Sequence, residues 1–482
     1  NEKLSIAFVG AGGKGWHAVQ SLQNHDSVNF AAFADVHESR ATEARKANPS
    51  VPFVSDFRKM LDQHGKHIDG IIISTPDHTH HFNARTCMQA GKPVYLEKPL
   101  THSIAEARDL MALEQQTKLA CQMGNQGHSG GGILVLEEWV KAGVLGNVNE
   151  AHCWAGPIWS YPDARPAEEP VPAGLDWNQW LGPAAMVPYS SKYLPAQWRG
   201  WFEFGNGTLG DWACHNMDAP YHVWGLDCPS RVEIESSGPS KLSFPARVKI
   251  TYTFPASTTR GEFKLHWYHG ADHALKRPPE LDAARTFPDG GTLIHGSQAT
   301  VLMGTHAGTP RVIPEAKMQE LSTSLPKVNL KRSNHWDNWL LAIKGQETCR
   351  SSFAYGGRLT ETMHFGNIAL HVNRSLTIDP ATRTYRLGNG GGGLSGPAIH
   401  PVAVRAIHDV AAARPEVPIV GAWGVVDGEA RVRDVCLRRP SPVLIAHATD
   451  AQCRDAIREL LTQFFAGGRC IELEIRYLAV DG

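Results

Sequence analysis

The sequence has no C-x-x-C pair, and its nine cysteines are scattered and odd in number. That argues against a disulfide framework and against a zinc–thiolate site. Neither sign of charge is in excess: 47 Lys plus Arg against 48 Asp plus Glu leave a formal charge of −1. There is thus no basic footprint for nucleic acid and no polybasic membrane patch. No apolar run reaches the roughly eighteen residues needed to span a bilayer. What remains is ordinary globular composition, 42% hydrophobic and 20% charged over 482 residues, enough for two or three domains. The first residue is Asn1 rather than Met. Either a cytoplasmic location or, after removal of a leader, a periplasmic or secreted one is therefore expected.

Leu4 to Val9 is a short apolar run. Gly10-Ala-Gly12-Gly13-Lys-Gly15 follows at once, and then Trp16 to Leu22 at helical spacing. Strand, glycine turn and helix are the context in which G-x-G-x-x-G binds a dinucleotide. Gly10 permits the tight turn, Gly12 the approach of a pyrophosphate, and Gly15 close packing of helix on strand. The helix N-terminus offers free N–H groups and a positive dipole to phosphate. A second strand, Val28 to Asp35, ends in a carboxylate 20 residues past Gly15. An acid there binds the adenosine ribose hydroxyls and repels a 2′-phosphate, so NAD is expected in preference to NADP. Further strands at 70–74, 93–96 and 119–123, separated by helical stretches such as 80–90 and 104–118, predict a doubly wound parallel sheet.

The stretch from Ser74 to Leu100, STPDHTHHFNARTCMQAGKPVYLEKPL, resembles the glucose–fructose oxidoreductase / inositol dehydrogenase (Gfo/Idh/MocA) family in its Thr-Pro turn, its His, its Ala-Gly-Lys turn and its Glu97-Lys98-Pro99. Gly207 to Asp218 is similar to that family's Asp-x-x-x-His segment. Asn334 to Leu341, Thr360-Glu361 and Ile378-Asp379 are similar to its closing helix and strand. The resemblance covers about residues 1–385. It implies a Rossmann domain over 1–125 and, over 126–386, an α+β domain with a large, mostly antiparallel open sheet used for catalysis and oligomerisation, as a dimer or tetramer. Leu175 to Pro183 with Trp198-Arg199 points to members acting on carbohydrates. The resemblance also implies a catalytic trio of Lys98, Asp211 and His215, and a cofactor lined by the glycine turn with Gly13, by Asp35, Thr75, Pro76, His80, Glu97 and Lys98, and by Asn125 and Gln126.

Chemistry gives the trio its roles. Oxidising an alcohol carbon needs a base for the hydroxyl proton and a cation or donor for the developing oxyanion. Lys98, just past a strand's carboxyl end, and His215 are the candidates, and the sequence leaves open which is the base. Asp211, one helical turn before His215, is expected to orient the imidazole or hold a substrate hydroxyl. Glu97 is expected to orient the loop or the nicotinamide side. Trp154, Trp159, Trp177, Trp180, Trp198 and Trp201 offer flat faces for sugar rings or else serve as core or interface aromatics. Trp198, Arg199 and Asp218 are expected substrate contacts. Asp77-His78-Thr79-His80-His81 reads as a His-rich helix start beside the cofactor, and no metal is expected.

The expected function is hydride transfer between a ring-hydroxyl carbon of a sugar, glycoside or cyclitol and NAD. A redox-assisted glycosidase with recycled NAD and a non-catalytic NAD-binding sensor are the alternatives. Residues 387–482 are read as an appended α/β segment of unknown role. Within it, GGLSGPAIHPVAVRAIHDV (residues 392–410) resembles the late phosphate-binding segment of dihydroorotate dehydrogenases, and no flavin function is expected of it.

Overall fold

The computed structural model describes residues 3–387 apart from Pro239, together with four short strands further on. The chain forms two compact units, 1–390 and 391–482. In the second, Ile419–Gly421 pairs in parallel with Val443–Ile445, and Val425–Val426 pairs antiparallel with Glu429–Ala430. The glycine-rich break and the stretch resembling a phosphate-binding segment lie outside the described residues.

The first sheet of the large unit holds β1 (Leu4–Val9), β2 (Val28–Ala34), β3 (Phe53–Val54), β4 (Gly70–Ile73), β5 (Val94–Leu96) and β6 (Gln122–Met123). All pairs are parallel, in the order β3-β2-β1-β4-β5-β6. This is the doubly wound sheet expected from the sequence. Gly70 to Ile73 is buried at every residue, as a strand covered by helices on both faces must be. The strand order reverses between β1 and β4, and the carboxyl ends there open the crevice in which such sheets bind ligands. Those ends carry Gly10, Asp35, Ser74 and Glu97.

The second sheet has nine strands: β7 (Val148–Ala155), β8 (Arg231–Ser236), β9 (Val248–Phe254), β10 (Phe263–His269), β11 (Gly291–Gly296), β12 (Thr300–Gly304), β13 (Arg311–Ile313), β14 (Leu376–Asp379) and β15 (Thr384–Leu387). Its order is β13-β12-β11-β7-β10-β9-β8-β14-β15. Only β7 and β10 pair in parallel, so the sheet is mixed and mostly antiparallel. Strict alternation gives it two different faces. Val248, Ile250, Tyr252 and Phe254 point into the core, while Lys249, Thr251 and Thr253 do not. The apolar face packs under the helices Gly207–Asn216 and Phe353–Val372, close enough that a β-carbon on Gly366 would lie 2.1 Å from the Tyr252 hydroxyl.

The helix Phe353–Val372 also ties the sheets together. Glu361, fully buried in it, accepts from Arg108 Nε at 2.7 Å and from Arg383 Nη1 at 2.6 Å. Arg108 lies on the Rossmann helix Ile104–Thr117 and Arg383 beside β15. The Lys98 loop is held from the same helix, because Leu100 N donates to Thr360 Oγ1 at 3.2 Å. Among the described residues, no helix is long and apolar enough to cross a membrane.

Candidate active site

The cofactor end is built by backbone. The helix Lys14–Leu22 starts at Gly13, and no side chain caps it, so its N-terminal dipole is free for an anion. A β-carbon on Gly15 would lie 2.0 Å from Gly10 O, which is why the helix can approach the strand only with glycine there. Gly12 is demanded by the protein itself, since a β-carbon on it would meet Arg40 O at 2.6 Å. Asp35 accepts from Ala11 N at 2.9 Å and from His37 N at 3.0 Å, which pins the glycine turn to the end of β2. Burial raises its carboxyl despite those two N–H groups. A carboxylate accepts about four hydrogen bonds, so capacity for ribose hydroxyls remains. Arg40, which the sequence reading did not single out, lies beside this turn: its Nη2 is 3.2 Å from where a Gly13 β-carbon would sit.

At the other end, His80 bridges two loops, with Nδ1 2.8 Å from Pro99 O and Nε2 2.8 Å from Thr75 O. Thr79 Oγ1 donates to Thr75 Oγ1 at 2.8 Å, and Asn83 Nδ2 donates to the same oxygen at 3.1 Å. The Thr75-Pro76 turn is thus fixed against Lys98-Pro99, whose peptide bond is cis. Glu97 is buried, and its Oε1 accepts from Gln126 Nε2 at 3.1 Å. Its Oε2 is buried with no protein partner. An uncommitted carboxylate oxygen, an uncapped helix start and the Asp35 carboxylate together fit a dinucleotide laid along the crevice.

Lys98 Nζ donates to Asp211 Oδ1 at 2.7 Å and to Asp211 O at 2.6 Å. Arg199 Nε donates to the same Oδ1 at 3.0 Å, and Trp159 Nε1 donates to Oδ2 at 2.8 Å. Burial works to raise the Asp211 carboxyl, but the Lys98 ammonium and the Arg199 guanidinium outweigh it and hold it below the usual carboxylate range. An ammonium has three N–H donors. Two of those on Lys98 are committed to Asp211, which leaves one for a ligand oxygen. His215 follows one turn later, buried, with Nδ1 unpartnered. Burial first, then Lys98 and His306, push its pKa well below the ordinary value, so the ring is neutral with a lone pair to offer. Its ring lies 4.0 Å from that of His306. One expectation is corrected here: Asp211 does not hydrogen-bond the His215 ring. Its carboxylate is spent on Lys98, Arg199 and Trp159, whose cations and indole N–H are the stronger partners.

Residues 4–125 match the family model described as the NAD-binding Rossmann fold of an oxidoreductase family, GFO_IDH_MocA, and residues 147–259 match its C-terminal alpha/beta domain. Over these two stretches the chain belongs to the Gfo/Idh/MocA oxidoreductase family. It is 28% identical over 153 residues to inositol 2-dehydrogenase 1 of Saccharopolyspora erythraea, covering 31% of this chain and 45% of that one. It is 28% identical over 156 residues to glycosyl hydrolase family 109 protein 1 of a Shewanella species, covering 30% and 34%. The chain spans 34% of the length of that Shewanella protein and 62% of that of the oxidoreductase YdgJ of Escherichia coli, to which it is 30% identical over 250 residues. The WlbA dehydrogenase of Bordetella pertussis, solved with NADH and UDP-GlcNAcA, shares the fold with a TM-score of 0.55 at 14% identity, covering 78% of this chain and 99% of that one.

Against this family fold, several expected contacts lie elsewhere. Asp218 is 1% exposed and accepts from Asn125 Nδ2 at 3.1 Å and from the Tyr355 hydroxyl at 2.6 Å, with His128 Nδ1 3.0 Å away. Asn125 Oδ1 in turn accepts from Ser351 Oγ at 2.5 Å. Both side chains are held by hydrogen bonds within the protein. Trp154, Trp177, Trp180, Trp198 and Trp201 are all buried. The last four form, with Tyr193 and Phe204, an aromatic core in the segment Leu175–Phe204. That segment and the glycine before it are tied to the stretch after β2, with Glu38 N donating to Gly174 O at 2.9 Å and Asp176 N donating to Val36 O at 2.9 Å. Trp198 reaches the site only as the ring under the Arg199 guanidinium, 4.3 Å away. Trp159 alone of the six is half-buried beside Asp211. The His-rich helix start diverges: His78 faces Phe204 O and Trp180 O, His80 the two loops, and His81 Nε2 lies 2.7 Å from Asp109 Oδ2. His306 was missed because it sits in a loop with φ 60°, in a stretch whose sequence carries no periodicity.

Proposed function

We propose that this chain oxidises a ring hydroxyl of a sugar, glycoside or cyclitol, with NAD as hydride acceptor. The observation that carries the reading is the Lys98–Asp211 pair just past the carboxyl end of β5, with the Lys98 charge reaching a buried His215 and helping to keep it neutral. The glycine turn, Asp35, the Thr75-Pro76 turn and Glu97 would hold the cofactor, and a bound nicotinamide supplies the hydride acceptor. The remaining Lys98 N–H donates to the substrate hydroxyl oxygen and stabilises the charge that builds there. His215 takes the hydroxyl proton as the C–H electrons leave and the carbonyl forms. Asp211 stays ionised throughout and fixes where Lys98 points. Arg199 and Trp159, at the Asp211 edge, offer a cation and a flat face to a polyol ring. A homo-oligomer, dimer or tetramer, belongs to this reading.

The similarity to a glycosyl hydrolase family 109 protein supports a second reading, in which oxidation is transient and a glycosidic bond is eliminated before the hydride returns. The test is incubation of the full chain with NAD and a panel of sugars, cyclitols and glycosides, following NADH and released sugar together. Accumulating NADH is expected under the first reading. Release of sugar with no free NADH selects the second, and neither signal from any member of the panel overturns both.

A further inference from the structure

The second sheet turns a polar face away from the helices, and on it three potential ligands converge. Glu150 and His152 are two residues apart on β7, so both side chains leave the same face. His266 on β10 pairs directly with His152 in the parallel register. Glu150 Oε1 lies 3.8 Å from His152 Nε2, and Glu150 Oε2 lies 3.6 Å from His266 Nε2. The donor atoms of all three residues fall within 4.8 Å of one another. The two rings stand face to face, with centroids 4.7 Å apart and planes 13° apart.

What surrounds the rings also suits ligation. His152 Nδ1 is 2.9 Å from the Tyr268 hydroxyl, and His266 Nδ1 is 2.9 Å from Thr251 Oγ1. Each hydroxyl can accept the Nδ1 proton, which fixes the tautomer with a lone pair on Nε2, the atom facing Glu150. Such outer hydrogen bonds are what orient metal-binding histidines. Of the two lysines whose charge reaches His266, Lys249 is paired with Glu235 at 2.7 Å, and Lys264 stands opposite Glu150 in the register of β10 with β7. Tetrahedral zinc holds nitrogen and oxygen ligands about 2.0–2.2 Å away, which sets them about 3.3–3.6 Å apart. The two Glu–His separations, which involve different carboxylate oxygens, need to close by a few tenths of an ångström, and the widest separation in the set, up to 4.8 Å, by about an ångström more, with a tilt of the two rings. The side chains are 39%, 14% and 12% exposed for Glu150, His152 and His266, so an ion can reach them.

We propose that Glu150, His152 and His266 form a binding site for a divalent transition-metal ion of zinc's class on the outer face of the nine-stranded sheet. The fourth position is left to water or to His295, which lies opposite Glu150 in the register of β11 with β7. This site is separate from the Lys98 centre. The neighbouring residue Cys153 points through the opposite face and bonds Asn216 O, next to His215, at 3.2 Å. Two imidazoles and one carboxylate favour zinc, cobalt or nickel over magnesium or calcium, which select all-oxygen shells.

The test uses the full chain stripped with chelator and titrated with zinc, alongside cobalt(II) as a spectroscopic probe. One zinc per chain is expected to bind at this site, with visible ligand-field bands for cobalt in the wild type. His152→Ala and His266→Ala should each weaken zinc binding at least about tenfold, and Tyr268→Phe should weaken it less, through the lost outer hydrogen bond. Absence of stoichiometric zinc binding and of cobalt bands in the wild type overturns the proposal. So does binding that survives in the folded double variant His152→Ala/His266→Ala. If that double variant fails to fold, the Tyr268→Phe and Glu150→Gln titrations decide, and affinity unchanged in both overturns it.

Discussion

Replacing Asp211 by Asn keeps the shape of the side chain and removes only its charge. The carboxylate, 13% exposed, holds two cations at 2.7 and 3.0 Å and an indole N–H at 2.8 Å. Breaking a buried ion pair by removing one partner costs about 3–5 kcal/mol. The amide oxygen of Asn keeps one acceptor, and Arg199 at 25% exposure recovers some hydration, so about 2–4 kcal/mol is expected. Unfolding entropy is about 2.1 cal/mol/K per residue, or about 0.8 kcal/mol/K for the unit of residues 1–390. The melting temperature should therefore fall by about 2.5–5 °C. Turnover should fall further, by about a hundredfold, because Lys98 loses the anchor that aims its free N–H. NAD affinity should hold, since Asp35 and the glycine turn are untouched. The assay is calorimetry, NAD titration and turnover on one preparation. A melting temperature within about 1 °C of wild type, with turnover within about threefold, would refute the argument that Asp211 is an electrostatic keystone. A lowered melting temperature with intact turnover would leave Asp211 structural and remove it from the mechanism.

Lys98→Met and His215→Ala should each retain NAD binding and lose on the order of a hundredfold in turnover, and the double variant should lose less than the product, because both groups act on one hydroxyl. Comparison of NAD and NADP affinities should favour NAD in the wild type; Asp35→Ser should narrow the gap, and Arg40→Ala should then reopen it if Arg40 is what receives a 2′-phosphate. Burial holds the His78 and His364 imidazoles down to about 3 and those of His269 and His335 down to about 4. A histidine depressed in the folded state contributes stability that is complete above its unfolded pKa and is lost as pH falls, so each of these should cost at most about 2 kcal/mol at pH 5. Thermal melts from pH 8 to pH 5 should show a steep fall below about 6.5, and a flat profile would mean these rings are not neutral and buried together.

What could be read in the sequence was what chain-local geometry dictates. The glycine turn, the carboxylate ending β2 and Glu97-Lys98-Pro99 each sit at the carboxyl end of a strand, where position along the chain is position in the crevice. Asp211 and His215 share a helix, so their proximity was legible too. Their coupling was not, because it depends on Lys98, 113 residues from Asp211, and on Trp159 and Arg199 arriving from a separate segment. The partners of Asp218, three residues past His215, were not legible for the same reason: Asn125, His128 and Tyr355 reach it from distant segments. The tryptophans were undecided because an indole fits a sugar platform and a core equally well, and only the docking of Leu175–Phe204 on Val36 and Glu38 buries four of them. The histidines of the sheet face extend the same rule. Glu150 and His152 are two residues apart on one strand, but their third partner is 114 residues from His152 and is brought there by a parallel pairing that no periodicity announces. A charge or an imidazole in the sequence names a capacity; whether it becomes chemistry depends on which distant strand or loop spends it first.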